Sequence, residues 1–246
     1  MPPDWLEHLT APLLADDQCQ AVAGFFLPDP DPQRPFEIAM SAAVLPTLRE
    51  IDPARFLPSS RSVAFRKAAW AQAGGYPEWL DYCEDLIFDL RLQNSVGAFA
   101  FAPQAVVYFK PRTRLRAFFK QYYRYARGDG KADLWRKRHV VRYVTYCVLL
   151  PLGVALGLVF PPAWVGLVGA GLVYLRQPLR RLPGLWGGLS APGKLQALLW
   201  LPIIRAVGDV AKMLGYPVGW VWRWRHRPPD WRRPLVDSPA FGHNER

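Results

Sequence analysis

Continuous apolar runs and helical periodicity alternate along the first part of the chain. Residues 3–15 place apolar side chains at helical spacing behind a proline in the first turn, which predicts a helix. Residues 21–27 are continuously apolar, as is typical of a buried strand. A proline-rich loop over residues 28–35 then leads into a second predicted helix, 35–48.

The same alternation continues beyond this helix. Residues 57–66 predict a short strand that runs into a helix over 67–73. This helix should end at Gly74, because a residue without Cβ can take the left-handed conformation. Another helix is predicted to begin near Glu84, and residues 98–109 predict a strand pair or a broken strand with its proline at a bulge or an edge. Strands that alternate with helices predict an α/β fold.

A long apolar stretch follows in the second half of the chain. Residues 143–175 contain no charged side chain, and two prolines at 161 and 162 divide them. The first run, 143–160, is close to the roughly 20 residues that a membrane-spanning helix needs. The stretch therefore predicts a transmembrane helical hairpin, or alternatively a re-entrant or deeply interfacial pair. Residues 195–224 predict an interfacial or half-inserted helix, because charged residues interrupt their apolar pattern.

Charge is distributed in blocks that match this division. Residues 1–109 contain 7 Lys and Arg against 14 Asp and Glu, a net charge of −7. Residues 110–142 have a net charge of +10, and residues 176–246 have a net charge of +8. Basic blocks on both sides of an apolar segment are typical of proteins that bind an anionic membrane surface. They argue against nucleic acid as the main partner. Both ends of the hairpin are therefore predicted to be cytoplasmic.

Two adjacent carboxylates, Glu84 and Asp85, stand at the predicted start of a helix. Acidic residues are common in a first turn, where they cap the helix and interact favourably with its dipole. A carboxylate in a turn can also act as a general base towards a hydroxyl group. The residues alone leave both interpretations open.

The segment around these carboxylates, GGYPEWLDYCEDLIFDLRL over residues 74–92, resembles glycosyltransferase family 2. In that family the aspartate of the Glu-Asp pair is the general base that deprotonates the acceptor hydroxyl. The resemblance implies this role for Asp85. Glu84 would position it and, by like-charge repulsion, raise one of the two pKa values.

A second segment, Gln121-x-x-Arg124-Tyr125, is similar to the Gln-x-x-Arg-Trp motif of the same family. The resemblance implies that Gln121 and Arg124 line the donor phosphate, where a guanidinium fork suits phosphate oxygens. Tyr125, Trp79 and Tyr82 are candidates for stacking on a sugar. The alternative for this block is an amphipathic interfacial helix whose aromatic side chains, including Phe118, enter lipid. The two interpretations are compatible.

The resemblance covers the C-terminal half of the family's catalytic domain. The family's metal-binding Asp-x-Asp and the strands before it would precede residue 1, so an N-terminal truncation or a second polypeptide that completes the fold is expected. The family implies Mg²⁺ or Mn²⁺, with its ligands outside this chain. Asp29-Pro30-Asp31 matches the Asp-x-Asp pattern, but it follows a different strand and lies in a proline-rich loop. The three cysteines lack the spacing of a disulfide framework or a zinc site.

Together these patterns predict an α/β fold: a partial GT-A (Rossmann-like) domain followed by an α-helical membrane region. The predicted regions are the C-terminal part of the catalytic domain (1–112), a basic aromatic interfacial helix region (113–142), the transmembrane hairpin (143–175), interfacial or half-inserted helices (176–224) and a poorly ordered basic tail (225–246).

The predicted function is that of a membrane-bound inverting glycosyltransferase. It would move a sugar from a nucleotide-sugar donor to a lipid or glycan acceptor, as in polysaccharide or glycolipid biosynthesis. The protein would be a multi-pass protein of the cell membrane with its globular part in the cytoplasm. The alternative is a non-catalytic, membrane-anchored remnant or subunit that binds an acceptor or a partner. A channel is disfavoured, because the apolar stretch has no ionisable residue to mark a pathway.

Overall fold

A three-stranded sheet organises the first 110 residues. The computed structural model describes residues 1–229 and places β1 (Ala21–Pro28) between β2 (Val63–Phe65) and β3 (Ala100–Phe109). β1 pairs with β2 in antiparallel orientation and with β3 in parallel orientation. Four of its first five residues are Ala, Val or Phe, and all five are buried. The sheet is therefore small, with a central strand that is buried over its first five residues.

β3 is interrupted at its proline. The register between β1 and β3 shifts at Gly24 and Phe25, where the residues of β3 that begin at Pro103 have no partner on β1. A proline cannot donate a ladder hydrogen bond, so an interruption at this point is inexpensive. A Cβ at Gly24 would lie 2.6 Å from the carbonyl oxygen of Ala105. The predicted broken strand with a bulge at its proline is confirmed.

Four helices and two short 3₁₀ turns accompany the strands in the first 110 residues. The second helix ends four residues earlier than predicted, because Leu45 precedes Pro46 and takes an extended conformation. Gly74 ends the third helix with φ of 79°, as predicted. The helices are α1 (Trp5–Ala15), α2 (Pro35–Val44), α3 (Lys67–Gln72) and α4 (Glu84–Val96), and the 3₁₀ turns are Leu48–Glu50 and Pro53–Arg55.

The second half of the described chain is helical. A single turn of π-helix, Thr145–Leu149, joins two of its helices into one nearly continuous rod. The last helix is 36 residues long and ends at His226, and residues 230–246, most of the predicted basic tail, lie outside the described part. The helices are α5 (Leu115–Ala132), α6 (Arg136–Val144), α7 (Leu150–Val159), α8 (Ala163–Arg181) and α9 (Ala191–His226).

α9 lies against the globular part of the protein. Its Leu201 and Ile204 are fully buried in a cluster with Ile38 of α2 and Phe118 of α5. A Cβ at Gly219 would collide with the carbonyl oxygen of Arg127, so α9 and α5 are in backbone contact there. The interpretation that Phe118 enters lipid is wrong. It is 1% exposed and belongs to the protein core, because α9 covers the face of α5 that the sequence pattern left open.

The predicted hairpin is present as two helices. α7 and α8 are joined at Phe160–Pro162, and their contact depends on two glycines: a Cβ at Gly153 would lie 2.6 Å from Leu167, and one at Gly157 would lie 2.8 Å from Trp164. The glycines of α8 at 166 and 169 face no described atom within 4 Å. Among residues 1–229, one helix, Arg136–Val159, is long and apolar enough to cross a membrane, with a mean hydropathy of 1.7.

Candidate active site

The two predicted catalytic carboxylates lie in the first turn of α4. Glu84 and Asp85 are both half-buried. The Asp85 carboxylate accepts a hydrogen bond of 2.8 Å from the backbone N–H of Leu86. This contact satisfies one free N–H of the first turn, although the N-cap position of α4 is Cys83 and carries no side-chain cap, and it uses only part of the acceptor capacity of the Asp85 carboxylate. The geometry is therefore compatible with capping and with a base.

The loop before α4 is held against α5. Cys83 has a left-handed backbone with φ of 66°, and its thiol donates to the carbonyl oxygen of Tyr125 at 3.3 Å. A Cβ at Gly128 would lie 2.6 Å from the carbonyl oxygen of Tyr82, so only glycine allows this approach. Burial, followed by the negative charge of Asp129, raises the pKa of Cys83 well above its usual range. The thiol is therefore structural and is not a thiolate nucleophile.

A direct hydrogen bond joins the two motifs that the sequence singled out. The Arg124 guanidinium donates to the Tyr82 hydroxyl at 2.6 Å, and it lies 5.3 Å from the centroid of the Tyr82 ring. The ring of Tyr125 meets that of Tyr82 edge-on, with centroids 6.3 Å apart. The structure therefore brings Arg124 and Tyr125 together with Tyr82, which precedes Asp85 by three residues in the chain.

Gln121 extends this group along α5. Its amide donates to the Tyr125 hydroxyl at 2.6 Å, one helical turn away. Its carbonyl oxygen accepts from the Arg112 guanidinium at 2.9 Å. All of these side chains are at least partly exposed, so a polar ligand could exchange for these hydrogen bonds.

Trp79 lies in a different environment from the other predicted site residues. Its ring stacks on that of Trp222 in α9, with centroids 6.1 Å apart. Trp222 also contacts the Lys131 ammonium, 4.5 Å from its ring centroid, and stacks on His226. One face of the Trp79 ring is thus in contact with protein. Trp222 lies in the stretch 195–224, which was predicted to be an interfacial or half-inserted helix.

Asp81 connects the same loop to α5 through ion pairs. Its carboxylate accepts from the Lys131 ammonium at 2.6 Å and also contacts the Arg127 guanidinium. Burial alone would raise the pKa of Asp81, but the hydrogen bond and charge of Lys131, together with the charge of Arg127, hold it below its ordinary value. While Asp81 is ionised, its ion pairs with Lys131 and Arg127 hold the loop against α5.

Two residues of this site were not identified from the sequence. Asp89 lies one turn after Asp85 and is 3% exposed. Burial, followed by the charge of Asp85, raises the pKa of Asp89 to about 8. Tyr76 stacks on Phe88 with centroids 4.4 Å apart. Burial and the nearby charges of Asp89, Asp85 and Glu84 raise the pKa of Tyr76. The helical spacing of Asp85 and Asp89 was a usable signal, since residues four apart share a face.

Residues 1–229 do not fit the divalent metal that the family implies. Within residues 1–229, no three His, Cys, Asp or Glu side chains form a group that could hold a metal ion. Asp31 is engaged elsewhere: its carboxylate caps the turn at Gln33 and lies 3.2 Å from the Arg34 guanidinium. No step of a reaction can therefore be assigned to a metal held by these residues.

Comparisons of the chain with models of protein families, with curated proteins and with solved structures gave no match. Function must therefore be inferred from the chemistry and the geometry of the residues themselves.

Proposed function

We propose that this protein is a membrane-bound inverting glycosyltransferase, or the part of one that carries the catalytic base. It would move a sugar from a nucleotide-sugar donor to a lipid or glycan acceptor. The observation that carries the proposal is the hydrogen bond between Arg124 and Tyr82, whose positions are 42 residues apart. It joins the acidic segment to the Gln-x-x-Arg-Tyr segment, as a shared donor and acceptor site would require.

In this reaction the base is Asp85. An acceptor hydroxyl gives its proton to the Asp85 carboxylate while its oxygen bonds to the anomeric carbon of the sugar, and the bond from that carbon to the nucleoside diphosphate breaks. Arg124 would exchange its hydrogen bond with Tyr82 for the diphosphate oxygens, which a guanidinium binds through two parallel bonds. Glu84 and the neutral Asp89 would flank the base. The metal ligands and the rest of the nucleotide site would lie outside the described residues 1–229.

The membrane part of the proposal uses the rod Arg136–Val159 and α8. The rod would cross the bilayer and α8 would return across it, with the glycine contact between α7 and α8 inside the bilayer. Basic residues precede α7 and end α8, which by the positive-inside rule favours a cytoplasmic location for both ends and for the carboxylates. The acceptor would then be met close to the membrane surface.

A second candidate function is a non-catalytic, membrane-anchored subunit. The observation that favours it is the hydrogen bond from the Leu86 N–H to Asp85, since a carboxylate that only stabilises the first turn of α4 would make this contact. The stacking of Trp79 on Trp222 also removes one predicted sugar contact.

The test is sugar transfer by the full chain in native membranes, with radiolabelled uridine and guanosine diphosphate sugars. Asp85→Asn should lower the transfer rate about 10²- to 10⁴-fold, the usual contribution of a general base, and leave donor binding unchanged. Glu78→Gln is the control, because Glu78 is an exposed carboxylate in the same loop. If Asp85→Asn transfers sugar as fast as the control, or if the wild type does not bind the donor, the non-catalytic, membrane-anchored subunit is favoured.

A further inference from the structure

Arg205 and Lys212, two basic side chains of α9, have no acidic partner in the described part of the chain. They are seven residues apart, close to two helical turns, so they lie on the same face of the helix. Among residues 1–229, neither side chain donates a hydrogen bond or has a carboxylate oxygen within 4 Å, and the Arg205 Nε is buried without a partner. Both residues are partly exposed, so an anion can reach them.

The neighbours of these two cations are aromatic rings of other helices. The Arg205 guanidinium lies 4.6 Å from the ring centroid of Tyr174 in α8. The Lys212 ammonium lies 5.0 Å from the ring centroid of Tyr122 in α5. A ring face attracts a cation, but it carries no net negative charge. The N–H groups of both side chains therefore remain available to the oxygen atoms of a ligand.

Asp209, the carboxylate between these two cations on α9, is already occupied. It accepts a hydrogen bond from the Arg142 Nε at 2.7 Å and one from the Tyr146 hydroxyl at 3.1 Å. The Tyr174 hydroxyl donates to the same carboxylate oxygen as Tyr146. Its negative charge is thus balanced by the Arg142 guanidinium, and the two other cations are left without a counter-charge.

The charges around Lys212 confirm that positive charge is in excess. Burial, followed by the charge of Arg142, lowers the pKa of Lys212 to about 8. Arg205 acts in the same direction, whereas Asp209 and Asp129 oppose it. Three cations, Lys212 included, thus stand against two carboxylates. A bound anion would remove this imbalance, because an opposite charge nearby favours the charged form of an ammonium.

In the proposed topology this site is at the membrane surface. Tyr174, whose ring contacts Arg205, is the last residue but one of the charge-free stretch 143–175. Tyr146 is the fourth residue of the same stretch, so both ends of the stretch meet at Asp209. Tyrosine side chains are typical of the level of the lipid head groups. A lipid phosphate can therefore reach the site from the bilayer, and free phosphate can reach it from the cytoplasm.

We propose that Arg205 and Lys212 form a binding site for a phosphate group. The guanidinium donates two parallel hydrogen bonds to phosphate oxygens, and the ammonium adds a point charge on the same side of α9. The phosphate belongs to an anionic phospholipid or is free in solution, and the two sources are separated by experiment. The site contains none of the residues assigned to sugar transfer and does not depend on that activity.

The first test is native mass spectrometry of the detergent-purified full chain with added phosphatidylglycerol. Lys212→Met removes the ammonium and leaves an unbranched apolar side chain in its place, a change that buried sites often tolerate. The matched control is Lys194→Met, because Lys194 is also a partly buried lysine of α9, with its ammonium 5.8 Å from the ring centroid of Trp186. It is roughly 27 Å from Lys212 along the helix, at about 1.5 Å per residue.

The wild type and Lys194→Met should retain phosphatidylglycerol, whereas Lys212→Met should retain it about tenfold less. Diacylglycerol, which lacks the phosphate, should bind equally to all three proteins. Arg205→Met should weaken the retention of phosphatidylglycerol in the same way, and Arg205→Lys, which keeps the positive charge, should restore most of it. The two Arg205 variants decide the question if Lys212→Met does not fold.

The second test is thermal unfolding in sodium phosphate and in sodium chloride of equal ionic strength. If the phosphate group is free in solution, sodium phosphate should raise the Tm of the wild type and of Lys194→Met but not that of Lys212→Met. An effect of phosphatidylglycerol alone would assign the site to a lipid head group. The proposal is overturned if neither phosphatidylglycerol nor sodium phosphate distinguishes Lys212→Met from Lys194→Met, or if Arg205→Lys binds as weakly as Arg205→Met.

Discussion

Replacing Asp89 with asparagine should change how the stability of this protein depends on pH. The Asp89 carboxyl is 3% exposed, and its pKa is raised from an ordinary value of 3.8 to about 8 by burial and by the charge of Asp85. Between these two values the folded protein keeps the proton and the unfolded chain releases it. Stability from this group is therefore complete below pH 3.8 and is lost as the pH rises to about 8.

The magnitude follows from the slope of this linkage. One pH unit within the window corresponds to about 1.36 kcal/mol for a single proton. Between pH 5 and pH 7 the wild type should lose about 2.7 kcal/mol of unfolding free energy through Asp89. The amide that replaces the carboxyl cannot titrate, so the stability of Asp89→Asn relative to the wild type should rise by the same amount.

The assay is denaturant unfolding of the full chain in a mild detergent, followed by tryptophan fluorescence at pH 5, 6 and 7. Asn94→Ala is the control, because it changes an exposed amide on the same helix and no ionisable group. Asp85→Asn should flatten part of the pH dependence of the wild type, since the charge of Asp85 contributes to the raised pKa of Asp89. Infrared spectra at pH 7 should show a protonated carboxyl band that Asp89→Asn loses.

A constant difference in stability between Asp89→Asn and the wild type from pH 5 to pH 7 would refute this reasoning. It would mean that Asp89 is ionised in the folded protein and that another group balances its buried negative charge.

Three further predictions concern packing, membrane attachment and donor binding. Gly219→Ala should destabilise the protein by about 1–3 kcal/mol, because the added Cβ would meet the Arg127 carbonyl oxygen. The control, Gly187→Ala, should not change stability, because the space around Gly187 is open. Thermal unfolding measures both variants. In a variant with residues 149–170 replaced by a Gly-Ser linker, high salt should release the protein from membranes, whereas release of the wild type should need detergent. If the linker variant stays with the membranes in high salt, the hairpin is not the anchor. Arg124→Lys should weaken donor binding about tenfold in a titration with a nucleoside diphosphate, since an ammonium cannot form the two parallel bonds of a guanidinium; unchanged affinity would remove Arg124 from the donor site.

Local signals in the sequence located the start of α4 and the end of α3 correctly. Gly74 predicted a left-handed helix end because few other residues tolerate that conformation, and Glu84 predicted a first turn because acidic groups favour the helix dipole there. Pro103 predicted the bulge in β3 for an equally local reason. Each of these features depends on the backbone preference of one residue.

The role of α9 could not be read from the sequence. Asp209 and Arg205 were interpreted as interruptions of an apolar pattern, but Asp209 is 8% exposed and is bound by the Arg142 guanidinium at 2.7 Å. An amphipathic pattern defines an apolar face without saying whether protein or lipid covers it. The stacking of Trp79 on Trp222 joins two segments that are far apart in the chain, which no local pattern predicts.

α5 has no clearance on either side. Its Gly128 touches the backbone of the Tyr82 loop, and two residues later Gly130 touches the backbone of α9 at Tyr216. A twist of α5 about its own axis would drive a main-chain atom into one neighbour or the other. The loop, α5 and α9 must therefore move together, and any displacement of α9 would be transmitted through α5 to the loop that precedes the carboxylates of α4.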